Sequence, residues 1–211
     1  TLFRSGDRGS IGRRREAGEF LRRMMCFSKN ETDEDDNSTI QLSLKIAGVH
    51  WWYRTRSHAA ELTAGYYNAG ERCGYEPIVQ LCRELDFGLT LTCVEMSDSQ
   101  HPVENCCSPQ GLLSQIRRAT TAAGVRLSGE NALPLFYLDQ RDVNKMGLDR
   151  IVDICHGNFK DVGSHALQNN GQQLQLPGMH SFTFLRMGEE ITRPYHREIW
   201  NHFMQRMHRL D

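Results

Sequence analysis

Nothing in this chain approaches the run of roughly 20 apolar residues that spans a bilayer as a helix, and its first residues carry no apolar core of a secretory signal. The expectation from both absences is a protein that neither crosses a membrane nor is secreted. An excess of either charge is also lacking: 25 basic residues stand against 26 acidic ones, which leaves no overall electrostatic footprint for nucleic acid. Paired cysteines are missing. The seven present (Cys26, Cys73, Cys82, Cys93, Cys106, Cys107 and Cys155) are irregularly spaced, without a CxxC pair or a regular Cys/His ligand set. That pattern argues for a reducing compartment and against a structural zinc site. With no nucleotide loop visible either, no metal and no cofactor is expected. "NET" at Asn30 and "NST" at Asn37 match glycosylation sequons, but without a secretion signal they are read as chance matches.

What is present is material for one core: 211 residues, 39% of them hydrophobic. Residues 1–38 stand apart. Arg4, Arg8, Arg13, Arg14, Arg15, Arg22 and Arg23 give way to Glu31, Asp33, Glu34, Asp35 and Asp36, a charge segregation typical of a solvated leader outside the fold. An Arg-rich, acid-poor opening also suits an organelle transit sequence; a fragment end is the other reading.

Residues 39–211 have a regular texture. "TIQLSLKIAGVHWW", "FGLTLTCVEM", "GVRLSGENAL" and "HSFTFLRM" read as strands, separated by segments of helical length and period. In "SPQGLLSQIRRATTAAG", Ser108 suits the N-cap, Pro109 the first helical position and Gly124 the left-handed stop. "YEPIVQLCRELDFG" gathers Ile78, Val79, Leu81, Cys82 and Leu85 on one face, and the last segment gathers Ile199, Trp200, Phe203, Met204 and Met207. Strands alternating with amphipathic helices predict an α/β fold with a parallel sheet. The stretch from about 133 to 180 carries the weakest pattern, and its "QNNGQQLQLPG" reads as an inserted loop.

In parallel βα architectures ligands gather where the strands end. Lys45, His50, Thr92, Glu95, Glu130, Asn131 and Arg186 fall there, beside Trp51, Trp52 and Tyr53. Hydrogen-bonding groups of several kinds next to aromatic rings suit a neutral polyhydroxylated ligand that also needs a stacking platform.

"GVHWWYRTRSHAAELTAGYYN", "LTCVEMSDSQHP", "CSPQGLL" and "SGENALP" resemble the C-terminal half of the plant β-amylases, glycoside hydrolase family 14, over roughly residues 40–135. The likeness resumes at "FTFLRM" and at "HFMQRMH". It implies a (β/α)8 TIM-barrel fold of which about the C-terminal four βα units are present, and inverting exo-hydrolysis of α-1,4-glucan, starch or maltodextrin, with release of β-maltose. By the same resemblance Glu130 is the general base and Lys45 and His50 bind sugar. Thr92 belongs to a mobile inner loop, Asn131 and Ala132 touch sugar, Leu133 wedges between glucose units, and Arg186 is a further binding residue. The family's general acid lies in its N-terminal half, and no stretch between residues 1 and 38 resembles that motif. The expectation is a base without an acid and a chain inactive alone; a non-catalytic glucan-binding or regulatory relative is the alternative. Half a barrel would also leave open sheet edges that invite self-association. A plastid or cytosolic plant protein is implied. "ENALPLF" departs from the family pattern, with Leu135 and Phe136 replacing a basic residue and a tyrosine, a change expected to weaken glucan binding.

Overall fold

The computed structural model describes residues 41–55, 73–136, 141–159, 168–169, 172–173 and 176–208. The charge-segregated segment 1–38 lies outside them, as does the second half of the first resemblance motif, residues 56–68. Four short strands form the main sheet: β1 (Ser43–Ile46), β2 (Gly88–Leu91), β3 (Leu127–Glu130) and β6 (Ser181–Thr183), all parallel and in that order across it. Two-residue strands β4 (Gln168–Asn169) and β5 (Gln172–Gln173) make a separate antiparallel pair, within the stretch read from sequence as an inserted loop.

The register explains the alternation in the strand sequences. Leu44, Leu89 and Leu127 stand in one row and Ile46, Leu91, Gly129 and Phe182 in another. Between them runs a polar row of Lys45, Thr90, Ser128 and Ser181. Successive side chains on a strand point to opposite faces, so the apolar rows share one face and the polar row the other. Ser181 donates its hydroxyl to Ser128 at 2.8 Å, and the Ser43 and Thr90 hydroxyls meet at 2.7 Å.

Helices α1 (Glu76–Leu85), α2 (Pro109–Ala123), α3 (Arg141–Cys155) and α4 (Pro194–His208) alternate with the strands. Val79 and Cys82 of α1 and Leu112 and Ile116 of α2 pack with Leu89, Leu91, Leu127 and Ile154 in the principal core. α2 begins and ends as its sequence predicts: the Ser108 hydroxyl accepts from Gly111 N at 3.2 Å, and Gly124 turns left-handed at φ 67°. α1 closes on Asp86, a non-glycine at φ 54°.

Helix α3 is a departure from the sequence reading, which found only weak pattern there. Its opening residues are polar, and the apolar Leu148, Ile151, Val152 and Ile154 crowd into its second half. That leaves too few turns for a period to stand out. Leu148, Ile151 and Val152 nonetheless bury a second cluster with Leu135, Phe136 and Phe203, flanked by Phe184 and Trp200, while Ile154 joins the principal core. Leu135 and Phe136, the departure after "ENALP", are therefore core residues, and Phe136 meets His196 and Trp200 edge-on at 5.5 and 6.1 Å.

Candidate active site

Glu130 is the last residue of β3 and lies two positions beyond Ser128, hence on the polar face. Lys45 stands in the same polar row on β1, with β2 between them, a gap of about 9–10 Å that a lysine's four-carbon stem can cross. It does: Lys45 Nζ lies 2.6 Å from Glu130 Oε1, the carboxylate side chain 5% exposed and the lysine 59%. The approach is a charge contact and not an aligned hydrogen bond, so Oε1 has no hydrogen-bond donor among the described residues. A buried carboxylate held by a cation, with a lone pair left over, is suited to accept a proton.

The loop leaving β3 is pinned from both sides. Asn131, fully buried, donates its amide to the carbonyls of Leu133 (2.8 Å) and Leu185 (3.0 Å) and accepts from Leu185 N at 2.6 Å. Arg186 donates Nε to Ala132 O at 2.7 Å. From the loop after β2, Glu95 reaches over and its Oε1 accepts from Ala132 N (2.8 Å) and Leu133 N (2.5 Å). Burial raises the pKa of Glu95 above the usual carboxylate range; the amides of Leu133, Glu95 and Ala132 and the charge of Arg186 offset part of that. Leu133 is half-buried against the second cluster.

Thr92, assigned by the resemblance to a mobile inner loop, accepts at its Oγ1 from Gly48 N at 3.0 Å, joining the loops after β1 and β2. Gly48 is required at that junction: a Cβ there would overlap Cys93 Sγ, Thr92 Oγ1 and the Thr92 carbonyl. His50 is buried, its Nδ1 2.8 Å from the Gly48 carbonyl. A carbonyl only accepts, so Nδ1 carries the proton and Nε2 of the neutral ring is an acceptor. Burial lowers the pKa of His50, the Gly48 contact opposing, and that favours the neutral ring. Around it stand His101, centroid at 4.9 Å, and the edge of Trp51 at 5.3 Å. Trp51 and Trp52 are 45% and 46% exposed, an aromatic surface beside the site. Cys93 (φ 63°), Arg186 (φ 60°) and Trp52 (φ 58°) all take left-handed backbone after strands. Each such conformation costs about 1–3 kcal/mol and needs surrounding structure to hold it.

The structure therefore brings Lys45 to Glu130, and Asn131, Ala132, Leu133 and Arg186 into one knot behind it, while Thr92 and His50 meet at Gly48. Glu95 is the residue that sequence reasoning undervalued. It is one of two carboxylates that the sequence puts at strand ends, and only the fold shows it reaching across to the next loop.

Known proteins resemble this chain over most of its length. The family model described as glycosyl hydrolase family 14 matches residues 24–208. "Beta-amylase 1, chloroplastic" of Oryza sativa subsp. japonica is 37% identical over 83% of this chain and 28% of its own length. "Inactive beta-amylase 4, chloroplastic" of Arabidopsis thaliana is also 37% identical, over 74% of this chain and 24% of its own. The chain thus spans less than a third of either relative. The crystal structure of the catalytic domain of a β-amylase from Paenibacillus polymyxa superposes with a TM-score of 0.54 at 25% identity, covering 86% of this chain and 35% of that one. The sheet described above is accordingly part of a TIM-type barrel.

Proposed function

Because the chain belongs to glycosyl hydrolase family 14, we propose that it carries the water-activating part of a β-amylase site, acting on α-1,4-glucan from non-reducing ends and releasing β-maltose. The observation that carries this reading is the buried Glu130 carboxylate with Lys45 Nζ at 2.6 Å and, among the described residues, no hydrogen-bond donor aligned on Oε1. An inverting glycosidase sets two carboxyl groups about 6.5–9.5 Å apart, one protonating the leaving oxygen, the other taking a proton from water on the opposite face. Glu130 is the second of these. Lys45, His50, Thr92, Asn131, Ala132, Leu133 and Arg186 form the sugar-binding wall, with Trp51 and Trp52 as stacking surface. The Asn131 amide is fully engaged with backbone, so its sugar contact falls to the main chain. No metal or cofactor enters such an acid/base mechanism. The acid belongs to a part of the barrel that residues 1–38 do not resemble, and the 211 residues alone bind glucan with near-background turnover. A plastid location follows the names of the relatives.

A second reading, a glucan-binding relative without catalysis, draws on the equal identity to a β-amylase named inactive and on Leu135 and Phe136 being committed to the core. Titrating the purified chain with maltotriose, followed by tryptophan fluorescence, tests what both readings share. Saturable binding, weakened by Lys45→Ala and Arg186→Ala, is the expected result. No binding up to tens of millimolar maltotriose would refute the glucan assignment.

A further inference from the structure

We infer that Glu95 is a positioning residue of this site: its carboxylate tethers the loop after Glu130 and so sets where Glu130 and the backbone of residues 131–133 meet a ligand. Two consecutive amides, Ala132 N and Leu133 N, converge on the one oxygen Oε1 at 2.8 and 2.5 Å. Both peptide planes are rigid units, and only Asn131 separates them from Glu130. A shift of this loop is therefore passed directly to the carboxylate of Glu130. The other clamps, Asn131 on Leu185 and Arg186 on Ala132, both come from the exit of β6. From β2, on the opposite side, come a long backbone bond from Val94 N to the Glu130 carbonyl at 3.4 Å and Glu95, the side-chain clamp on that side among the described residues.

Glu95 itself is fixed. It is 1% exposed, and Gly147 of α3 lies so close that a Cβ there would touch the Cβ of Glu95 and overlap a methyl of Leu135. Stability alone is a poor reason for it. Its Oε2 is buried without a hydrogen-bond partner among the described residues, a desolvation cost set against the two bonds that Oε1 accepts. What a carboxylate provides and an alkyl group cannot is an acceptor for both amides, which fixes the loop in one conformation.

The inference takes its ligand from the glucan reading, but the tether can be tested without it. The full chain is compared with Glu95→Ala, Glu95→Gln and Glu95→Asp by NMR amide exchange and by maltotriose titration. Gln keeps an oxygen at full reach without the charge; Asp keeps the charge but is one methylene short. The expected result is that Ala speeds exchange at Ala132 and Leu133 at least about tenfold, with strand β3 unchanged, and weakens maltotriose by a similar factor. Gln should restore both more fully than Asp. Should Ala fail to fold, the order of Gln over Asp carries the test. Amides that stay protected in the variants would overturn the inference, as would their release with unchanged maltotriose affinity, or Asp outperforming Gln. If the unmodified chain fails to bind maltotriose, the glucan reading falls, and the exchange data still decide whether Glu95 holds the loop.

Discussion

Replacing Asn131 by alanine separates two roles that the sequence alone runs together. As a sugar contact, its loss would spare stability; as the clamp between the exits of β3 and β6, its loss must be felt by the whole fold. Three hydrogen bonds disappear, two donated to the Leu133 and Leu185 carbonyls and one accepted from Leu185 N. Each is worth a net 0.5–1.5 kcal/mol or about that, and the orphaned groups are only partly rehydrated, so the cost is about 2–4 kcal/mol. With a urea m-value of about 2 kcal/mol/M, the midpoint falls by roughly 1–2 M. Asn131→Asp gives a sharper signature. The carboxylate still accepts from Leu185 N but faces two carbonyl oxygens it can no longer donate to. At pH 7 Asp should be at least as destabilising as Ala, and it should recover in acid, where a protonated carboxyl donates again. Urea denaturation followed by far-ultraviolet circular dichroism measures both. A loss under about 0.5 kcal/mol for Ala, the size of a neutral surface change, or an Asp variant milder than Ala at pH 7, would refute the clamp.

Three further outcomes are expected. The raised pKa of Glu95 means its contribution is fully present below the ordinary carboxylate value and is lost as pH climbs through the raised one. Melting temperatures of Glu95→Gln against the unmodified chain should therefore move in favour of Gln as pH rises above the ordinary carboxylate range, and a constant difference would contradict the assigned burial. Gly48→Ala, forced against Cys93 and Thr92, should cost about 1–3 kcal/mol in thermal unfolding, as overpacking does; an unchanged melting temperature would show that the two loops are looser than described. Removing residues 1–36 should leave the melting temperature of the remainder unchanged, and a clear drop would make that charged segment part of the fold.

Legibility followed the range of the forces involved. The helix α2 could be read off because its signals are local: Ser108, Pro109 and Gly124 act on the backbone within one turn of themselves. The strand runs could be read too, but each was taken too long. "GVRLSGENAL" yields a strand only over Leu127–Glu130, since the ladder stops where the polar loop begins to be held by side chains from elsewhere. α3 was obscured by its polar opening turns. At the site, a resemblance in motif singled out Glu130 and Lys45, and the register explains their meeting, two strands apart on the polar face. Glu95 and the clamp role of Asn131 were out of reach, because both depend on contacts between loops 37 or more residues apart, which no local pattern encodes.

The most direct test of the account is to give Glu130 an opposing acid. The N-terminal half of a related β-amylase joined ahead of residue 39 should close the barrel and place that acid across the scissile bond. Proton NMR of maltopentaose digestion reads the anomer as it forms. The account predicts β-maltose from the chimera, and with Glu130→Gln a fall in turnover of several orders of magnitude at little change in glucan affinity, since an amide keeps the shape but cannot take a proton from water. A folded chimera that kept full turnover with Gln at position 130 would contradict it.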